Sequence, residues 1–220
     1  MEAPEVTAIR ANCDNKEYVL KAVSEQGKLL EWASDSLRDD EEVVKTALEN
    51  DGEAMEFASD RLKDNKELML LAIKGAPWTA CYASDRLRAD KDVIMSSVKT
   101  YGQTLYFASE ELRDDKEVVK AAVTNKGLIV KFASYRLRND KEIAEIAVKQ
   151  DKRAFQFLTK ELKADEEIVL NPEEFILAID KDGFKKIGED IAYKIKRVPA
   201  RYELIKIIRP KYLKDNGQII

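Results

Sequence analysis

Apolar residues return along this chain in a fixed phrase. From Asp114 to Arg138, Val118, Val119, Ala122 and Val123 stand at positions 5, 6, 9 and 10 of a 25-residue unit, a spacing that lays them on one face of a helix. Asp115 and Glu117 precede them, and a short acceptor followed by an acid suits a helix start, where free N–H groups and the positive end of the dipole need partners. Gly127 at position 14 stands where a left-handed terminator is expected. A second helix is predicted next, carrying Phe132 at position 19 and Ala133 at position 20. Ser134 at position 21 is placed to cap a short third turn that holds Leu137 and leads into the next unit. Small alanines permit close helix approach, with the aromatic and the leucine expected to fill the layer between units.

The phrase recurs. Asn15, Asp40, Asn65, Asp90, Asp115, Asp140 and Asp165 are spaced by 25 residues, and position 19 reads Trp32, Phe57, Tyr82, Phe107, Phe132, Phe157. A period in this range is the signature of a stacked array in which no unit buries its apolar face alone. The fold class expected is all-α: a right-handed-type α-solenoid of six 25-residue helical-pair repeats with a helical C-terminal cap. Its copies are 14–38, 39–63, 64–88, 89–113, 114–138 and 139–163, with a partial seventh at 164–171. Residues 1–13 form an N-terminal capping segment, a short helix after Ala3-Pro4, and residues 172–220 a basic cap with helices over Phe184–Lys196 and Arg201–Ile208. At roughly 10 Å per helix layer the array is about 60 Å long.

The recurring string (N/D)DKE(V/I)V…AV…G…(F/Y/W)AS(D/E)xLR resembles the repeats of the domain of unknown function 4116 (DUF4116) family over residues 14–170. That resemblance implies the repeat architecture and brings no activity with it. Gly27, Gly52, Gly102 and Gly127 hold position 14, the third copy has Gly75-Ala76-Pro77, and the sixth has Lys152. The sixth copy also carries Leu158 and Thr159 for alanine and serine, as expected of a terminal repeat with a different neighbour.

Composition narrows the function classes. The chain has 220 residues, 45% hydrophobic and 36% charged, and no apolar run approaches the ~18 residues that span a membrane. MEAPEVTAIR lacks the basic flank and apolar stretch of a secretory signal, and Cys13 and Cys81 lie too far apart in sequence to suggest a disulfide framework. An intracellular, cytoplasmic setting is expected. There is no histidine, which removes imidazole triads and zincin sites, and no glycine-loop nucleotide motif occurs. Asp180, Asp182, Gly183 and Glu189 echo a calcium loop, but Ala178 stands at its first ligand position and Lys185 at its apolar one, so a plain turn is expected. No catalytic residue, cofactor or metal is expected.

The candidate chemistry lies in what varies between copies. Position 15 runs Lys28, Glu53, Trp78, Gln103, Leu128, Arg153; position 18 runs Glu31, Glu56, Cys81, Tyr106, Lys131, Gln156; position 22 runs Asp35, Asp60, Asp85, Glu110, Tyr135, Lys160. Trp78, Tyr106 and Tyr135, with Lys131 beside them, interrupt mostly polar series in consecutive central copies, and exposed aromatics anchor interfaces. The function expected is a non-catalytic protein–protein interaction scaffold for a protein or peptide. Position 25, always basic, reads as a ladder of surface ion pairs and helix-end contacts.

Charge supplies the alternative. Residues 181–220 hold 11 Lys/Arg and 5 Asp/Glu, a net of +6, so the remaining residues carry −10 of the total −4. Lys185, Lys186, Lys194, Lys196, Arg197 and Arg201 in that basic region offer a surface for nucleic acid or an anionic surface. Ile187, Ile191, Ile195, Leu204, Ile207 and Ile208 read instead as the core of helices whose lysines face solvent.

Overall fold

Every repeat starts with the α-helix its pattern demands. The helices are Lys16–Glu25, Glu41–Asn50, Lys66–Gly75, Lys91–Val98, Lys116–Asn125 and Lys141–Gln150. Each begins at the polar residue of position 2, whose side chain accepts backbone N–H groups of the first turn; Asp115 takes those of Glu117 and Val118 at 2.9 and 3.1 Å. Positions 5, 6, 9 and 10 are buried from the second copy onward, as in Val43, Val44, Ala47 and Leu48. The computed structural model describes residues 4–164 and the backbone of 185–186, 192–198, 201–208 and 212–213. The chain divides into two compact units, Met1–Phe157 and Leu158–Ile220. The first is a helical-repeat solenoid, opened by the expected capping helix, Pro4–Ala11, which buries Ile9. None of the helices among the described residues is long and apolar enough to cross a membrane.

The second element of each repeat is a 3₁₀ helix rather than an α-helix: Gly27–Trp32, Gly52–Phe57, Pro77–Tyr82, Gly102–Tyr106, Gly127–Phe132 and Lys152–Phe157. These segments are too short to present an α-helical face, and the tighter 3₁₀ turn serves short pieces. Positions 16 and 17 point inward, for example Ala54 and Met55, while position 18 points out. The hydroxyl-capped third turn is present as a four-residue helix, Asp60–Lys63 in the second copy, with Ser59 Oγ accepting the Leu62 N–H at 3.2 Å. The Ser59 N–H in turn donates 3.0 Å to the carbonyl of Arg38 in the preceding repeat.

The position-14 glycines are not left-handed terminators. Their φ angles lie outside the left-handed region. Glycine is required there by close approach: a Cβ on Gly102 would stand 2.5 Å from the Ala122 carbonyl oxygen of the next repeat, and Gly27, Gly52 and Gly127 face Ala47, Ala72 and Ala147 in the same way. At three of these four joints an amide at position 12 of the next repeat then clasps the glycine; after Gly52 that position is Gly75. The Gly102 N–H donates to Asn125 Oδ1 at 2.8 Å while Asn125 Nδ2 donates to the Thr100 carbonyl at 3.1 Å. Asn50 and Gln150 make the same clasp on Gly27 and Gly127.

Two ion-pair systems tie the surface. Lys66 at position 3 of its copy reaches Asp90 and Asp92 of the next, both at 2.8 Å. Lys16, Lys91 and Lys116 do the same to Asp40 and Glu42, to Asp115 and Glu117, and to Asp140 and Glu142. The second copy has Glu41 at position 3, and the cap that follows it is the neutral Asn65. Asp therefore appears at position 2 where a lysine precedes it, and Asn where none does. Within a repeat, Arg61 Nε donates to Asp39 at 2.9 Å, and Arg86–Asp64 and Arg136–Asp114 match it. The fourth copy, with Ala89 and Glu111 at those two positions, lacks both partners.

The helical cap gives way to strands. Ala192–Val198 pairs antiparallel with Arg201–Ile208, with Tyr193 opposite Ile207, Arg197 opposite Tyr202 and a register shift between Lys194 and Ile195. Lys185–Lys186 pairs with Tyr212–Leu213. Apolar Tyr193 and Ile195 alternate with Lys194 and Lys196, as Tyr202 and Leu204 do with Arg201 and Glu203, so a period of two outweighs the looser helical spacing. The boundary expected at 171–172, the partial seventh repeat beyond Ala164 and the calcium-like fragment lie outside the described residues, apart from the paired backbone of Lys185.

Candidate protein-interaction face

The aromatic residues of position 19 fill the layer between repeats only in part. All six are half-buried at its edge, and Trp32, Phe57 and Tyr82 pack against the core of the first unit. Alanine at position 20 and leucine at position 24 take the interior instead, Ala58 at 4% and Leu62 at 0% exposure in the second copy. A ring at a layer edge can be shared by two repeats, and contacts run from copy to copy along the strip. The Arg10 guanidinium lies 3.8 Å from the Trp32 ring centre, Lys63 Nζ 5.9 Å from Tyr82, Arg88 6.0 Å from Phe107, and Lys131 Nζ 5.9 Å from Phe157. Between the first two copies Arg38, Phe57, Asp60 and Lys63 help line an open cleft of about 360 Å³.

Of the four residues singled out from the sequence, Tyr106 and Lys131 meet on the Phe132 ring, while Trp78 and Tyr135 make their ring contacts within their own repeats. Tyr106 packs edge-on between Phe107 at 4.9 Å and Phe132 at 4.8 Å, yet stays 55% exposed. Lys131 stands 4.7 Å above Phe132. Tyr135 is 60% exposed, with the Arg138 guanidinium 6.0 Å from its ring. Trp78 is half-buried and packs edge-on against Tyr82 at 6.0 Å, so it supports the strip more than it projects from it. Burial, and then a hydrogen bond with Glu56, pushes the Tyr82 hydroxyl up to about 12. Burial also raises the Cys81 thiol, which argues against a reactive thiolate there.

Position 25 is less a ladder than a set of local pairs. Arg38 pairs with Asp35, Arg88 lies 3.8 Å from Asp85, and Arg113 lies 3.9 Å from Glu110. Their Nε atoms, with that of Arg138, are buried without a hydrogen-bond partner. In the fifth copy Tyr135 replaces the position-22 acid, so the cation there has no such carboxylate beside it. The inter-repeat ladder belongs instead to position 3, where the lysines are held above the ordinary lysine range by hydrogen bonds to the carboxylates they meet. Sequence reasoning passed over that pairing, although the alternation of Asp and Asn at position 2 was its visible signal.

The six basic residues singled out in the second unit are divided between two sheets. Lys185 and Lys186 form one short strand, Lys194, Lys196 and Arg197 lie on a strand of the other sheet, and Arg201 opens its partner. Register places Lys194 opposite Lys206 and Lys196 opposite Glu203.

The sequence profile described as "Domain of unknown function (DUF4116)" matches residues 15–63, 40–88, 65–113, 115–163 and 140–184. Neither a curated protein nor a solved structure matches this chain. Each match opens at position 2 of one copy, and the first four close at position 25 of the next, so the family's unit is a pair of adjacent repeats. With matches running through most of its length, the chain belongs to the DUF4116 family.

Proposed function

We propose that this protein is a non-catalytic interaction scaffold that binds a protein or peptide along its aromatic strip. One observation carries the reading. Among the described residues the exposed large hydrophobic side chains are Tyr18, Tyr106 and Tyr135, and the two most exposed sit in consecutive repeats beside Lys131. Aromatic anchors on a surface pinned by neighbouring layers suit recognition at low ordering cost. Support for a non-catalytic role comes from the carboxylates: Asp39, Asp40, Asp64, Asp90, Asp114, Asp115 and Asp140 are held below the ordinary range while engaged in caps and ion pairs.

The test is affinity capture from source-cell lysate with wild type and a Trp78→Ser/Tyr106→Ser/Tyr135→Ser variant. Folding of each is checked by circular dichroism, and recovered proteins are purified and re-bound. A protein that binds wild type directly and loses at least about tenfold in affinity for the folded variant is expected. Identical recoveries by both baits would remove the strip from consideration. Nucleic acid retained by both baits, and lost when Lys194, Lys196, Arg197 and Arg201 are neutralised, would move function to the second unit.

A further inference from the structure

The strip is electrically graded along its length. Taking positions 18, 22 and 25 together, with Arg10 on the Trp32 ring, the first copy sets Glu31 and Asp35 against Arg38 and Arg10, and the second sets Glu56 and Asp60 against Lys63 alone. The third and fourth each balance one acid with one base, while the fifth holds Lys131 and Arg138 and no acid. The strip thus runs from net negative over its first two copies through a neutral aromatic middle to net positive. Contacts from Arg10–Trp32 to Lys131–Phe157, together with the cleft joining the first two copies, place these positions on one continuous face.

We propose that the strip pairs with the same strip of a second copy, antiparallel about a two-fold axis across its middle. This rests on reading the strip as an interface and names its occupant. An isologous interface uses one patch twice, so the patch must be complementary to itself when turned end for end. A surface negative at one end and positive at the other meets that condition, with the acidic end of each copy on the basic end of the other. The neutral middle then brings aromatic side chains, Tyr106 among them, into the desolvated centre where anchors act. At about 10 Å per repeat and about 12 Å of width, five repeats offer about 600 Å² per copy, above the floor of roughly 500 Å² per partner for a specific interface. The dimer is therefore expected to be weak and reversible.

Salt gives the first discrimination. Each chain carries a net charge of −4, so general repulsion between copies weakens as salt is added and non-specific association grows. Pairing through opposite ends of the strip weakens instead. Sedimentation equilibrium of the full chain is expected to show a monomer–dimer system whose dimer fraction falls as salt rises. Two folded variants complete the test: Glu31→Lys/Asp60→Lys, which makes both ends basic, and Lys131→Glu/Arg138→Glu, which makes both ends acidic and keeps Tyr135. Each alone should dimerise at least about tenfold more weakly than wild type, and an equimolar mixture should recover a heterodimer to within about threefold of wild-type affinity. If either variant fails to fold, Glu31→Gln and Lys131→Gln replace them, with loss of the salt dependence as the readout.

A wild-type chain still monomeric at about 0.5 mM would overturn the proposal, as would a dimer indifferent to both swaps or a mixture that stays monomeric. A monomeric wild type that still captures a foreign protein, lost by the tyrosine variant, would leave the scaffold reading standing. A rescued mixture with no strip-dependent capture would assign the strip to self-pairing alone.

Discussion

The joint between the fourth and fifth repeats and the joint between the third and fourth bring the same elements together with different residues. At the former, Gly102 lies under the Ala122 carbonyl and Asn125 closes on its N–H. At the latter, Pro77 stands in the glycine's place, Ser97 replaces the alanine, and Thr100 replaces the amide. Proline offers no N–H, so no clasp is needed. The Ser97 hydroxyl bonds the Pro77 carbonyl at 2.7 Å and meets the Thr104 hydroxyl in the interior. The comparison shows that position 14 is specified by its neighbour. All three positions differ between these two joints, whereas the joint between the second and third repeats keeps Gly52 and Ala72 and has Gly75 in the amide's place.

The largest effect should follow from breaking the glycine joint. Gly102→Ala drives a methyl into a backbone carbonyl, and a loss of about 3 kcal/mol is expected in denaturant unfolding. Pro77→Ala, at a joint that already accommodates a Cβ, should cost clearly less; equal losses would show that position 14 is not neighbour-specified. Next come the polar fittings. Asn125→Ala strands the Gly102 N–H and Ser97→Ala strands the Thr104 hydroxyl, each for about 1–3 kcal/mol, whereas Thr100→Asn should add nothing because proline has no N–H to offer. A stabilising Thr100→Asn would contradict this account.

The lysine ladder sharpens the comparison with smaller changes. Asn65→Asp alone sets a carboxylate near Glu41 and should lower the melting midpoint, by no more than about 2 °C. Combining it with Glu41→Lys should reverse the sign, measured as a double-mutant cycle by calorimetry. A zero coupling would mean the Asp/Asn alternation is incidental.

Smallest of all should be the response to pH across the neutral range, because no imidazole is present to titrate. The carboxylates of the ladders have folded pKa values below the usual 3.8 and 4.5, Glu142 at about 2 through Lys120 and Lys116. Depressed acids contribute stability that is complete above their unfolded pKa and is lost as pH falls through the folded one. Thermal midpoints should therefore be level from pH 8 to pH 5 and fall from about pH 4 towards pH 2. A step near pH 6.5 would contradict this.

Much of this was legible in residues. Val118, Val119, Ala122 and Val123 announce a buried helical face, and Asp115 its start, because these are local requirements of a single helix. Gly102 announces a special backbone site, but the cause is a carbonyl twenty residues further on, so the terminator reading was the natural local one and the wrong one. Phe132 signals an apolar contact without saying whether it lies inside a layer or across its edge. The strip residues Tyr106, Lys131 and Tyr135 were visible as departures from their series, though only the fold shows that positions 18, 19 and 22 share a face. The region around Tyr193–Ile208 misled because its isoleucines satisfy a loose helical spacing as well as an alternating one, and cross-strand pairing decides between them.

The match between a lysine and the aspartate that begins the next copy makes the repeats behave like dominoes. Asn65 fits behind Glu41, while Asp90 fits behind Lys66. Excising residues 39–63 would leave Lys16 in front of Asn65, and duplicating 64–88 would leave Lys66 there, each a visible misfit at one seam. Unequal recombination in the gene would leave such misfits until a later substitution mended them. Relatives with longer or shorter arrays should carry those seams, and the order in which the copies arose can be read from which ends still fit.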